Sequence, residues 1–198
     1  MTIDYPMASI RFHKFAIEGM QDIQKQTEKS KAFYFPYVEE KRGVADKLLI
    51  ELAKNAAAVI TDDYPTYFVP QMTAEAKGSI QTTYELVDSN GLLPIRIAEK
   101  EYVRAHDFRR FMHKNIEDFL VEVPEKDPLE YLNLKFDEKL LEPIFKKYEL
   151  VDFNKVNTQD FLNNLNVDKS VEVSDVVGGY NAAKSRLDLF AKKGFNDY

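Results

Sequence analysis

The chain contains no cysteine and no tryptophan, only 7 glycines, and only 3 histidines in 198 residues. Without cysteine there can be no disulfide framework, thiolate zinc site, iron–sulfur cluster or cysteine nucleophile. No Gly-x-Ser-x-Gly elbow is present, and His13, His106 and His113 stand in no signature of nucleophilic catalysis. Long apolar runs are also missing. The longest, around Ala56–Ile60, falls far short of the roughly 18–20 residues of a membrane helix. The opening Met1-Thr-Ile-Asp-Tyr-Pro has neither a basic n-region nor an apolar h-region, so no secretory signal is read, and a cytoplasmic or virion location is expected.

What is present is ordinary globular material, 44% apolar and 30% charged. The length suits a single domain over 1–198 that buries enough surface to fold unaided. The formal net charge of −6 does not attract nucleic acid to the chain as a whole, although a local basic stripe could do so. Aromatic content is carried by 14 Phe and 11 Tyr, which suits half-buried surfaces where a ring packs and a hydroxyl stays wet.

Along the chain, Phe12, Phe15, Ala16, Met20 and Ile23 follow a helical period, after which 24–31 is polar and 32–38 is an aromatic cluster broken by Pro36. That stretch reads as a projecting arm over 24–38. Ala45, Leu48, Leu49, Leu52, Ala56, Val59 and Ile60 form an apolar stripe that predicts a helix over 44–61. Residues 64–78 read as a loop with a short helix at 73–77. The β-branched run 79–87, the turn signal Asp88-Ser-Asn-Gly91 and the run 92–97 predict an antiparallel hairpin. Further helices are expected over 98–120, 137–148, from an N-cap at Thr158, and near the C-terminus from Ser174. The charged connector at 122–128, between Pro124 and Pro128, marks a weak subdomain boundary. The expected fold is thus α+β and mainly helical, with amphipathic helices packed on a small antiparallel hairpin.

Two patterns come near to chemistry. Gly178-Gly-Tyr-Asn-Ala-Ala-Lys-Ser185 places Gly178, Lys184 and Ser185 at the offsets of a phosphate-binding P-loop, but Ala183 stands where the second glycine belongs. The simpler reading is a helix whose first turn carries two glycines. On the helix over 98–120, His106, Arg110, His113 and Glu117 share a face, with Arg104 and Arg109 beside them. Arg110 between the histidines repels a metal and favours an anion or an acidic partner, so no metal or other cofactor is assigned. The plain alternative is a solvated face. Asp62-Asp63 is a carboxylate pair of the kind used in acid–base work, but at a helix exit it is more often merely solvated.

The region 96–114 is locally basic and 122–152 acid-rich. With no complete catalytic motif, enzyme activity is left open and a contact role is favoured. The expected function is a non-catalytic structural or adaptor protein that assembles with other subunits as a homo-oligomer or hetero-complex, as in a connector or minor component of a virion. Phe33, Tyr34, Phe35, Tyr37, Phe195 and Tyr198 are its expected interface, and Arg104, His106, Arg109, Arg110 and His113 its anion-binding or acid-binding set. Two other readings remain. One is an enzyme that binds a phosphorylated small molecule or nucleotide. The other is a nucleic-acid accessory protein using the basic helix 96–114.

Overall fold

The computed structural model describes residues 1–121, 123–133 and 136–195. Its elements run α1 (Ile10–Thr27), α2 (Leu48–Ala53), β1 (Ala58–Asp62), α3 (Val69–Ser79), β2 (Thr83–Val87), α4 (Ala105–Asn115), α5 (Glu142–Phe145), α6 (Thr158–Asn164) and α7 (Tyr180–Leu189). Short 3-10 turns lie at Ile95–Ile97, Ile116–Phe119, Pro128–Tyr131 and Glu138–Leu141, and a π-helical turn at Phe190–Gly194 continues α7. Among the described residues, no helix is long and apolar enough to cross a membrane. The chain divides into two compact units, Met1–Leu48 with Pro128–Tyr198, and Leu49–Asp127.

The first unit is built on α1. Ser9, in extended conformation, caps it by accepting a hydrogen bond from the Phe12 amide. Ile10, His13 and Ile17 then recur on the helical period and are buried. Ile10 and Ile17 enter a core with Val38, Val151, Phe153, Leu162 and Leu165, flanked by Met20 and Phe161. Asn157, rather than Thr158, caps α6: its side-chain oxygen accepts from the amides of Gln159 and Asp160. The segment 32–38 runs against this unit. The Val151 amide donates to the Pro36 carbonyl at 2.9 Å, and Val38 is buried.

The second unit contains a β–α–β crossover. β1 pairs in parallel with β2, with Ala58 opposite Thr83 and Asp62 opposite Val87. α3 makes the connection, with Pro70 in its first turn, where a missing amide hydrogen costs nothing. The expected antiparallel hairpin is therefore absent. The run 83–87 is a strand, but its partner lies upstream, beyond α3, and 92–97 does not pair with it. The physical reason is at the turn. Asp88 accepts from the amides of Asn90 and Ile95, which folds the chain into a compact corner. Pro94 has no amide hydrogen for a ladder, and Ile95–Ile97 winds into a 3-10 turn.

The helix expected over 44–61 holds only at 48–53. Val59, Ile60 and Thr61 are β-branched and enter β1 instead. α3 is longer than the short helix expected at 73–77, while α4 occupies only the middle of 98–120. The stretch 137–148 forms a 3-10 turn and the brief α5 around Pro143.

Candidate functional site

Parallel pairing brings the two strands' carboxyl ends side by side, and each is followed by an aspartate. Asp63 comes directly after β1 and Asp88 directly after β2. The Asp63 amide extends the ladder by donating to the Val87 carbonyl at 2.8 Å. Asn90 closes the corner by donating its side-chain amide to the Asp63 carbonyl at 2.7 Å, and Ser89 Oγ donates to Asp62 Oδ1 at 2.6 Å. Arg96 reaches back to grip both oxygens of Asp63, Nη2 lying 2.9 Å from Oδ1 and Nε bonding Oδ2. A bidentate grip of this kind fixes a planar guanidinium in orientation as well as in charge.

The electrostatics follow from these bonds. The guanidinium of Arg96 holds the Asp63 carboxyl below the usual carboxylate range, and Asp63 in turn raises Arg96. Hydrogen bonds from Asn90 and from the Ile95 amide hold Asp88 low as well. Both acids are thus ionised throughout the neutral range.

Over this edge lies an open cleft of about 480 Å³. Its walls are Tyr64 and Pro65 from the loop after β1, Pro70, Thr73, Ala74 and Lys77 from α3, Leu86 from β2, and Ile95 beside Arg96. Thr73 and Lys77 lie one helical turn apart on the same side of α3. The exposed Lys77 has no ion-pair partner among the described residues. Tyr67, in the same loop, adopts φ +64°, a left-handed conformation that costs about 1–3 kcal/mol in a non-glycine residue. Open parallel sheets bind ligands beyond the carboxyl ends of their strands, which is where this cleft lies. It can hold a small molecule that is apolar over much of its surface and carries an acidic group toward Lys77. Among the described residues, no group of three or more histidines and acids is placed to hold a metal ion.

The basic residues singled out in the sequence lie on α4, apart from this cleft. Arg104 precedes the helix and pairs with Asp107 at 2.8 Å. His106, Arg109, Arg110 and His113 are exposed. The opposite side of α4 carries Phe108 and Phe111, whose rings meet Tyr102 at 5.6 Å and 5.3 Å.

Most of the aromatics expected at an interface have partners within their own unit. Phe33 stacks on Phe136 at 4.6 Å, Phe35 lies 6.1 Å from Phe145, and Tyr37 meets Tyr148 edge-on at 5.8 Å. Tyr34 is half-buried, and burial raises its phenol above the ordinary value. Phe195 is largely exposed and meets Phe190 edge-on, while Tyr198 lies outside the described residues.

The near P-loop is a helix junction. Gly178 donates its amide to Glu18 Oε2 at 2.7 Å, and Asn181 donates its amide to Asp22 Oδ2 at 3.0 Å. The amides at the start of α7, which would cradle a phosphate, are thus turned to carboxylates of α1, and Lys184 is paired with Asp188. The glycines permit the approach. A Cβ on Gly178 would come within 2.1 Å of the Phe15 carbonyl oxygen, and Gly179 has φ +95°.

Sequence reasoning missed the cleft because it treated Asp63 and Asp88 as a solvated helix exit and a hairpin turn. The available signal was the matching pattern of two β-branched runs, each closed by an aspartate and separated by a helix-length segment.

No family model matches the chain. Over 144 residues it is 28% identical to a deoxyribodipyrimidine photo-lyase of Methanothermobacter thermautotrophicus, a match that takes in 72% of this chain. The matched part is 30% of that protein's length, so the chain resembles a portion of a photo-lyase.

Proposed function

We propose that the chain is a non-catalytic, ligand-holding module of a photolyase-like protein or assembly, and that the cleft beyond β1 and β2 is where the ligand sits. The observation that carries this reading is the position of the cleft. Two parallel strands end side by side, their terminal aspartates are fixed by Arg96 and by backbone amides, and an unpaired Lys77 faces the same space. The polar corner is thereby rigid before any ligand arrives, which lowers the cost of binding. The 28% identity over 144 residues to a portion of a photo-lyase is the ground for placing the chain in a photolyase-like protein or assembly.

The ligand class follows from the walls. Tyr64, Pro65, Pro70, Leu86 and Ile95 suit a ring or short chain, and Lys77 suits a carboxylate or phosphate. Native mass spectrometry of the purified chain tests this. The expected result is a retained small acidic molecule, lost or at least tenfold depleted in Lys77→Ala. A chain that carries no such molecule, and shows no thermal shift with mononucleotides or aromatic carboxylates, would remove the proposal.

A further inference from the structure

α7 is tied to α1 at its start and leaves another side bare. The Gly178 and Asn181 amides are held by carboxylates of α1, and Ala182 is half-buried. About 140° round the helix from Ala182 stands Leu187, 64% exposed. Tyr180, Ala183, Leu187 and Phe190 follow one another at intervals of three and four residues, and all are exposed. They fall within an arc of about 80°. The π-helical turn extends this seam. Its bond from the Phe195 amide to the Phe190 carbonyl brings residue i+5 over residue i, so Phe195, 68% exposed, meets the Phe190 ring edge-on. Gly194 leaves room for that ring, since a Cβ there would come within 2.9 Å of it.

The occupant is indicated by the width of the seam and by the charges beside it. A helix that packs into a core presents an apolar stripe of roughly 100° or more, whereas a narrower seam at three-four spacing suits one partner helix. Leu189, also exposed, lies about 160° from Leu187, so the apolar residues are not gathered on the single broad face that a lipid surface needs. Lys184 is neutralised by Asp188 at 3.2 Å. Arg186, Lys192 and Lys193 are exposed and have no ion-pair partner among the described residues. A second copy of α7 would bring like charges together. Parallel pairing sets the lysines of both copies at one end, and antiparallel pairing centred on Leu187 sets one Arg186 beside the other. Acidic side chains supply the complement. We infer that the Tyr180–Ala183–Leu187–Phe195 seam of α7 docks an amphipathic helix of a partner protein whose apolar a and d positions are flanked by glutamate or aspartate. The inference is independent of the cleft and its ligand.

Fluorescence anisotropy with the full chain and two labelled peptides of about 21 residues tests it, one with Leu at a and d and Glu at e and g, the other with Lys in place of Glu. The acidic peptide is expected to bind at about 50 mM NaCl, more weakly at about 200 mM, and at least tenfold more tightly than the basic one. Leu187→Ser is expected to lower that affinity at least tenfold. Arg186→Glu combined with Lys193→Glu is expected to abolish the preference for the acidic peptide. Leu189→Ser removes the same apolar group from the other side of the helix, where Leu189 is 55% exposed, and is expected to change affinity less than twofold. Circular dichroism confirms that each variant is folded. The inference is overturned if the acidic peptide does not bind at about 50 mM NaCl, if the basic peptide binds equally well, or if the two leucine variants lose affinity equally. It is also overturned if light scattering shows an oligomer that Leu187→Ser dissolves, which would assign the seam to a second copy of the chain. Binding to phosphatidylserine vesicles that Leu187→Ser removes, without binding of the acidic peptide, would assign it to a lipid surface and overturn the inference as well.

Discussion

At the scale of single residues, close contacts decide more than composition does. Gly178 lies against the α1 backbone so tightly that any side chain must push the two helices apart. Gly178→Ala should therefore destabilise the first unit by about 1–3 kcal/mol, the usual cost of overpacking, measured by urea denaturation. The two glycines are conspicuous in the sequence, but their reason is not. Their partners, Phe15, Glu18 and Asp22, lie about 160 residues upstream, as the Gly178–Glu18 bond shows.

Asp63 and Asp88 set the acid response of the second unit. Each is held below the ordinary carboxylate range in the folded chain, Asp63 chiefly by Arg96 and Asp88 chiefly by Asn90. Their stabilisation is therefore present above that range and is lost as pH falls through the lowered folded values. Hydrogen exchange of the β2 amides between pH 6 and pH 3 should show progressive loosening, and Asp63→Asn should flatten that dependence.

At the scale of elements, caps and strand partners differ in how openly the sequence displays them. The period of Phe12, Phe15, Ala16, Met20 and Ile23 made α1 legible because a helix is satisfied by its own neighbours. The same reasoning failed at 56–62, where Ala56, Val59 and Ile60 continue the apolar spacing of α2 but, past the turn at Lys54-Asn55, lead into a strand. Asn157 accepts two amide hydrogens at the start of α6, whereas the Ser9 hydroxyl accepts one at 3.5 Å. Asn157→Ala should cost about 1 kcal/mol, and Ser9→Ala distinctly less, in matched thermal melts.

A parallel strand pair is harder to foresee than a hairpin. Its partners are distant in sequence, and the turn signal after β2 has a different use. The cleft was hidden for the same reason: Asp63 and Asp88 are 25 residues apart and become neighbours only through the crossover.

At the scale of the whole molecule, the two units are unequally endowed. The first holds the contiguous core of Ile10, Ile17, Val38, Val151, Phe153, Leu162 and Leu165. In the second, the buried apolar side chains among the described residues are Ala53 and Ile80, and Ile60 on β1 is 65% exposed. A two-stranded sheet with an open face is marginal without further burial. Thermal unfolding followed by hydrogen exchange should therefore show 49–127 opening first, with α1 amides protected to higher temperature. A single concerted transition would contradict this.

The register of the parallel pair also has a genetic consequence. Side chains along a strand alternate between faces, so losing one codon between Thr83 and Val87 would turn every later side chain of β2 over and pull Asp88 away from Asp63. One codon gained near Thr66, in the exposed loop after β1, would leave the pairing of the strands in register, although it would shift the Tyr64–Pro65 wall of the cleft. Lineages of this chain should accordingly vary in length before α3 and hold a constant length from Thr83 to Arg96.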